Sequence, residues 1–426
     1  MDYLIIMNGM PSLKGEDAFQ KPYLLIKKLY LKKSITLVSI VPDKYYYFYK
    51  KKKFFDIDNF LFMKKFKSIK LIKIYKKNNN TLCNFFDKLK KIFFLKEFFF
   101  FSNENTYLKI NEIIKKIKPK KILCLYDPAI ISCVKYSTYN CEKISFTGQI
   151  YFKNLETQLE NYKKKNIYSK ITNIYTYFKL FFLIFKSKFL FKRIFENFDK
   201  NIFHDQDTYL IAKKLKIPNV KFIQQFTPDF GGDNWIKKRQ FRKKKNILFL
   251  NSAPTTININ AVDNFIKYTG PFLNNIKINN NDIFNYLYVV GENNFLVKKI
   301  MMLNYPWIKF TGWSNNISKE FFKNNCILLT NNLFLNSRTK IFHAMSAGLI
   351  TITLNSNTYN HKKLINKKNI LIAKNINKLN EVLFRFLNNE YNEKKMSINA
   401  RQTFEKYYSE KNNVSNIIRY LESASK

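Results

Sequence analysis

The chain has 426 residues, of which 46% are hydrophobic and 17% aromatic, so an intrinsically disordered chain is excluded, and at roughly 100–200 residues per domain there is material for two or three buried cores. Lys and Arg number 75 against 30 Asp and Glu, a formal net charge of +45, which attracts polyanions and anionic membranes without choosing between them. With only 9 Gly and abundant Lys, Asn, Ile, Phe and Tyr, much of that charge reads as compositional drift on solvated faces.

The first half alternates strand and helix patterns. YLIIMN (3–8) is a short apolar run ending at Gly9, Met10 and Pro11, followed by a loop, an amphipathic helix over 18–31 and a second apolar run, ITLVSIV (35–41). That order is a parallel α/β unit. It returns as the helical KINEIIKKIK with Pro119 as its stop and KILCLY as the strand, ending at Asp127-Pro128. It returns again as NIFHD, the helix TYLIAKKLK capped by Asp207, the turn Ile217-Pro218 and the strand VKFIQQF. Residues 228–245 carry Pro, a Gly pair and a basic run without periodicity, the composition of a linker. After it NILFLN reads as a strand, NAVDNFIKYTG as a helix capped by Asn260, and YLYVVG, IKFTG, CILLTN and LITITL as further strands. RTKIFHAMSAG is a helix closed by Gly348, and the chain is helical from about 377 to its end.

Five cysteines (Cys83, Cys124, Cys133, Cys141, Cys326) form no C-x-x-C pair, so neither a disulfide framework nor a zinc site is expected. The start, MDYLIIMNGM, lacks the basic region of a signal peptide. No stretch reaches the ~18 apolar residues of a membrane span. These features predict a cytoplasmic protein. The segment 178–198 (FKLFFLIFKSKFLFKRIFENF) has Lys179, Lys186 and Arg193 at seven-residue spacing. It reads either as a helix of the first domain under a long insertion or as an amphipathic element lying on an anionic membrane surface.

Phosphate-loop, dinucleotide-fingerprint, H-E-x-x-H and G-x-S-x-G motifs are absent. The triplets Asp56-Ile57-Asp58 and Asp205-Gln206-Asp207 are weak metal candidates. Ligands of open α/β sheets bind outside the carboxyl ends of the strands. In the second half those ends carry Asn251-Ser252, Gly291-Glu292, Gly312-Trp313, Asn331-Asn332 and Asn355. A loop then leads into a helix with Ser337, Arg338 and Lys340 at its start, where free N–H groups, the helix dipole and two cations suit a diphosphate.

ILFLNSAPTTININAVDNFIKYTGPFL, YLYVVGEN, KFTGWSNNI and SRTKIFHAMSAGLITITLNSNTYNHKKLINKKNILI, in this order, resemble the C-terminal half of GT-B glycosyltransferases, in particular family 4 (group 1) and the CgeB-like transferases. The resemblance covers nearly all of 246–420. Lys340, Ala344, Met345 and Gly348 match the family's K-x-x-E-A-M-A-x-G helix start. In the first half NGMPSLKGEDAFQKPYLLIKKL is similar to the family's first loop, with Gly15 keeping one of two glycines and Glu16 beginning the following helix. The family's donor-contacting acids would fall at Leu335 and His343, neither acidic, and its first-domain histidine is replaced by Asp127.

The resemblance implies an α/β fold of two Rossmann-like domains facing a cleft, with C-terminal helices. It places an N-terminal acceptor domain at 1–228 with a helical insertion at about 150–200, a basic linker at 229–245, the nucleotide-sugar donor domain at 246–400 and a closing helix at 401–426. It implies a metal-independent, retaining hexosyltransferase without cofactor, moving a sugar from a nucleotide-sugar donor to a saccharide or lipid-linked acceptor in surface polysaccharide or lipopolysaccharide biosynthesis. Gly291, Glu292, Gly312, Trp313, Arg338, Lys340 and His343 would bind the donor, Gly15 and Glu16 the phosphate or acceptor loop, and Asp127 would lie near the transferred sugar. Asn258 reads as a helix cap, His204 and His361 as structural or surface residues. A catalytically degenerate binding subunit and a basic nucleic-acid-binding protein are the alternatives, and no nucleic-acid recognition motif is present.

Overall fold

The computed structural model describes residues 1–8, 11, 17–42, 68–74, 104–126, 128–135, 137–148, 156, 159, 181, 184–185, 190–250, 256–279, 283–291, 294–314, 316–333, 339–358 and 361–424. The chain divides into two compact units, Met1–Gln225 joined by Asn413–Lys426, and Phe226–Asn412.

The first unit is built on a seven-stranded parallel sheet of order β3-β2-β1-β4-β5-β6-β7. Its strands are β1 (Tyr3–Asn8), β2 (Ile35–Pro42), β3 (Ser68–Ile74), β4 (Lys121–Leu125), β5 (Glu142–Thr147), β6 (Lys200–Phe203) and β7 (Val220–Phe222). Near-continuous apolar runs such as ITLVSIV make strands buried on both faces, which a parallel sheet between helix layers requires. Thus consecutive Leu4, Ile5 and Ile6 are all fully buried. The helices Glu104–Ile117 and Pro128–Lys135 contribute Ile110, Ile114, Ile130 and Ile131 to one face. The final helix, Glu410–Glu422, closes this unit. Tyr3 Oη donates to Glu422 at 2.5 Å, Lys33 pairs with Glu422 at 2.6 Å, and Lys121 Nζ donates to the Leu421 carbonyl at 2.6 Å.

The second unit carries a six-stranded parallel sheet of order β10-β9-β8-β11-β12-β13. Its strands are β8 (Lys245–Leu250), β9 (Phe284–Val290), β10 (Ile308–Gly312), β11 (Cys326–Leu329), β12 (Ile350–Leu354) and β13 (Leu371–Ala373). Both sheets are therefore doubly wound, and each reverses direction beside its first strand. In the second unit the reversal falls between β8 and β11, which pair in parallel.

Several expectations need correction. The basic segment at 229–245 is not a free linker but folds into the second unit. The Arg239 guanidinium is buried and donates to the carbonyls of Phe321 and Asn324 at 2.6 Å and of Asn325 at 3.2 Å. Lys245, also buried, pairs with Glu393, and Arg401 forms a two-pronged ion pair with Asp229. Within 178–198, Leu190, Phe191, Ile194, Phe195 and Phe198 lie in the first unit's core. Phe181 and Phe185 of the same stretch are exposed, and Lys179 and Lys186 lie outside the described residues. The helix expected to be capped by Asp207 is Gln206–Lys214 with Asp205 as its cap, accepting from Thr208 N at 2.8 Å. Asn260 caps nothing, because its helix already begins at Thr256. Among the described residues no helix is long and apolar enough to cross a membrane.

Candidate functional site

The reversal between β8 and β11 is where a doubly wound sheet opens a crevice at its carboxyl edge. The segment that follows β11 is fastened to the helix Thr256–Asn264 that follows β8. Asn264 Nδ2 donates to the Thr330 carbonyl at 2.8 Å, Thr330 Oγ1 to the Ala261 carbonyl at 2.6 Å, and Asn332 N to Asn260 Oδ1 at 2.9 Å. A second tie runs toward β12. Asn331 Nδ2 donates to Asn357 Oδ1 at 2.7 Å, and Asn357 Nδ2 donates to the Asn331 carbonyl and to Thr353 Oγ1, both at 2.9 Å. Short amide side chains reach backbone groups that a sheet edge leaves open, and this satisfaction holds the edge in one arrangement.

Into this frame enters the helix Thr339–Ser346, eight residues long, whose Thr339, Ile341, Phe342, Ala344, Met345 and Ser346 are buried. Lys340 sits in its first turn. Its Nζ donates to the Leu250 carbonyl at 2.9 Å and to Asn258 Oδ1 at 3.0 Å, so the ammonium stands at the carboxyl end of β8, at the reversal point. Asn258 is not a cap but the buried side chain that orients this cation. One turn on, His343 is buried with its ring edge against Phe230 at 4.9 Å between centroids. Phe230 is itself fixed, since its N–H donates to Ser346 Oγ at 3.2 Å and its carbonyl accepts from Ser318 Oγ at 2.6 Å.

Gly291 and Gly312 close the neighbouring strands β9 and β10. Gly291 N donates to the Gly312 carbonyl at 2.9 Å, and Gly312 takes φ +67°, a left-handed conformation that favours glycine. Trp313, next in the chain, is 59% exposed. The structure therefore brings Gly291, Gly312, Trp313, Lys340 and His343 onto elements of one sheet edge. Glu292, Arg338, Asp127, Gly15 and Glu16 lie outside the described residues. No group of three or more His, Cys, Asp or Glu able to hold a metal occurs among the described residues.

In the first unit, β4, β5 and β6 end at Tyr126, Gly148 and His204. The imidazole of His204 is buried and lies 5.2 Å from the Tyr126 ring and 5.6 Å from that of Phe146. Burial, and secondarily the charge of Lys21, hold its pKa well below the usual histidine value. A Cβ on Gly148 would fall 2.2 Å from this ring, so only glycine fits there. The pair Gly148 and His204 is a long-range contact with no local signature, and sequence reading treats each separately.

No family model and no curated protein matches the sequence. Solved structures do resemble it. TarM of S. aureus, solved as a variant with fondaparinux, α-GlcNAc-glycerol and UDP, aligns at TM-score 0.63 and 11% identity over 99% of this chain and 100% of that one. HepE of Anabaena, solved with UDP and glucose, aligns at 0.61 and 11% over 99% of each chain. The lipopolysaccharide outer core galactosyltransferase WaaB, in its apo form, aligns at 0.53 and 11% over 98% and 99%. With two doubly wound parallel units and C-terminal helices, the chain has the GT-B fold.

Proposed function

We propose that this chain is a glycosyltransferase that moves a sugar from a nucleotide-sugar donor to a saccharide or lipid-linked acceptor, as in surface polysaccharide or lipopolysaccharide assembly. The observation that carries the reading is Lys340, placed at the reversal point of the second sheet by the Leu250 carbonyl and Asn258. The second unit takes the nucleoside diphosphate and the first the acceptor. Catalysis needs charge neutralisation on the departing diphosphate as the glycosidic bond breaks. The Lys340 ammonium and the helix dipole supply it, with Arg338 two residues earlier in the sequence, and no metal is required. Gly291 and Gly312 allow the nucleotide to approach backbone, and Trp313 offers a ring face to it. Retention of the anomeric configuration and a hexose donor are the finer expectations, and the site of action is cytoplasmic. TarM and HepE were solved with UDP, so UDP is the first nucleotide to test.

The experiment is a thermal-shift series with UDP, GDP, ADP and CMP, with and without Mg²⁺. A nucleotide at about 100 times its Kd stabilises the fold by roughly 2.7 kcal/mol. One nucleoside diphosphate should raise the midpoint without metal, and Lys340→Ala should abolish that shift. No shift with any nucleotide overturns the reading. A second reading, a GT-B binding subunit without turnover, is favoured by the non-acidic His343 buried against Phe230. Nucleotide binding with no sugar transferred or hydrolysed would select it.

A further inference from the structure

The 235–245 segment is pinned at Arg239 and at Lys245 and faces outward on both sides of Arg239. Arg239 turns inward onto the carbonyls of Phe321, Asn324 and Asn325, and Lys245 turns inward onto Glu393. Between these anchors the backbone is tied down as well. Asn389 Nδ2 donates to the Lys243 carbonyl at 3.4 Å and Asn285 Nδ2 to the Lys244 carbonyl at 3.3 Å. The side chains of Lys237, Lys238, Lys243 and Lys244 are exposed, and so are two apolar ones, Ile236 and Phe241, each at 38%. From Asn234 to Asn246 the sequence holds no acid.

The basic surface continues onto the sheet. Arg242 Nη1 donates to the Lys323 carbonyl at 3.2 Å, Lys323 Nζ lies 3.7 Å over the Tyr288 ring, and Lys309 Nζ lies 5.0 Å over that of Tyr286. Three other exposed cations of this unit face an acid: Lys299 pairs with Asp263, Lys378 with Glu381 and Arg385 with Glu390. A rigid cluster of cations with aliphatic and phenyl groups set among them has the chemistry of an interfacial contact. The ammonium groups meet headgroup phosphates, while the apolar groups enter the boundary below. We propose that this face of the second unit docks on an anionic phospholipid surface. Single-stranded nucleic acid fits it less well, because it needs a run of open aromatic faces for base stacking, and here a lysine stands over one face of each of Tyr286 and Tyr288 while Phe241 is a single exposed ring beside four lysines. The proposal stands independently of the transferase reading.

The test is cosedimentation of the full chain with vesicles of phosphatidylcholine and phosphatidylglycerol mixed three to one, against pure phosphatidylcholine. Binding is expected to the mixed vesicles alone and to be released by salt. Lys243→Ala with Lys244→Ala should weaken it roughly 25-fold, about fivefold per charge, and Phe241→Ser should weaken it without altering its salt dependence. Lys362→Ala with Lys368→Ala, which removes the same charge from another exposed turn, should change it little, and thermal midpoints confirm that each variant folds. Equal binding to pure phosphatidylcholine would overturn the proposal. So would equal losses in the two double variants, or binding of a short RNA without binding of vesicles. Should the 243/244 variant not fold, the salt release of the unaltered chain from mixed vesicles alone decides.

Discussion

The first sheet runs β3-β2-β1-β4-β5-β6-β7 and the second β10-β9-β8-β11-β12-β13, the same doubly wound progression, yet the two carboxyl edges are finished in opposite ways. In the second unit Asn258, Asn264, Asn331 and Asn357 answer the open backbone groups and hold a lysine at the reversal point. In the first unit the ends of β4 to β6 close on an aromatic cluster around His204, whose two ring nitrogens have no hydrogen-bond partner among the described residues. Shared topology locates a crevice in both halves. The residue types at the strand ends make one edge a hydrogen-bonded polar frame and the other a packed layer.

The sharpest way to break this comparison is to remove a charge that the second unit buries as a closed pair, Lys245 with Glu393. Glu393→Ala leaves Lys245 buried without its carboxylate and should cost about 3–5 kcal/mol, read as a lowered midpoint in denaturant. Next, the asparagine frame can be opened. Asn331→Ala deprives Asn357 Oδ1 of its donor and should cost about 1–3 kcal/mol, whereas His204→Phe, which breaks no side-chain hydrogen bond, should leave stability at neutral pH within about 1 kcal/mol. If the two substitutions cost the same, the contrast between the edges fails.

Acid separates the halves further. His204 is kept neutral by burial and by Lys21, with its folded pKa well below 6.5. The unfolded chain binds this proton near pH 6.5 and the folded chain does not, so the contribution is fully present above pH 6.5. It is lost as pH falls, by about 1.4 kcal/mol per pH unit. The difference between unaltered chain and His204→Phe across pH 6.5 to 5 isolates that slope, and parallel curves would refute it. The smallest effect belongs to the surface. Glu381→Ala breaks an exposed pair with Lys378 and should cost at most about 0.5 kcal/mol, within the scatter of a thermal melt.

Strands buried on both faces were the legible part of the sequence. YLIIMN, KILCLY, NILFLN and LITITL are apolar runs bounded by turn residues, and each is a strand where expected. EKISFT and SIKLIKI carry a weaker pattern, because charges flank or interrupt their apolar residues. The helix at 339–346 and the strand-end glycines were readable from pattern. The partners of the site were not. Arg239 looks like one more cation in a basic run, and its inward turn depends on carbonyls some 80 residues away. Asn258 looks like a cap until Lys340 arrives from another element. Asp207 and Asp205 are equally good caps locally, and packing chose the earlier one.

The helix that ends the chain belongs, from Asn413 onward, with residues 1–225. The amino-terminal sheet therefore receives its closing contacts, those of Tyr3 and Lys33 with Glu422 and of Lys121 with Leu421, only after the whole intervening unit has been translated. On the ribosome, where domains usually fold in order of emergence, the unit made first is the one completed last. A premature stop just before Asn413 would leave the second unit's residues whole and strip the first of its seal, so a nonsense lesion at that point should damage the unit that is translated earlier.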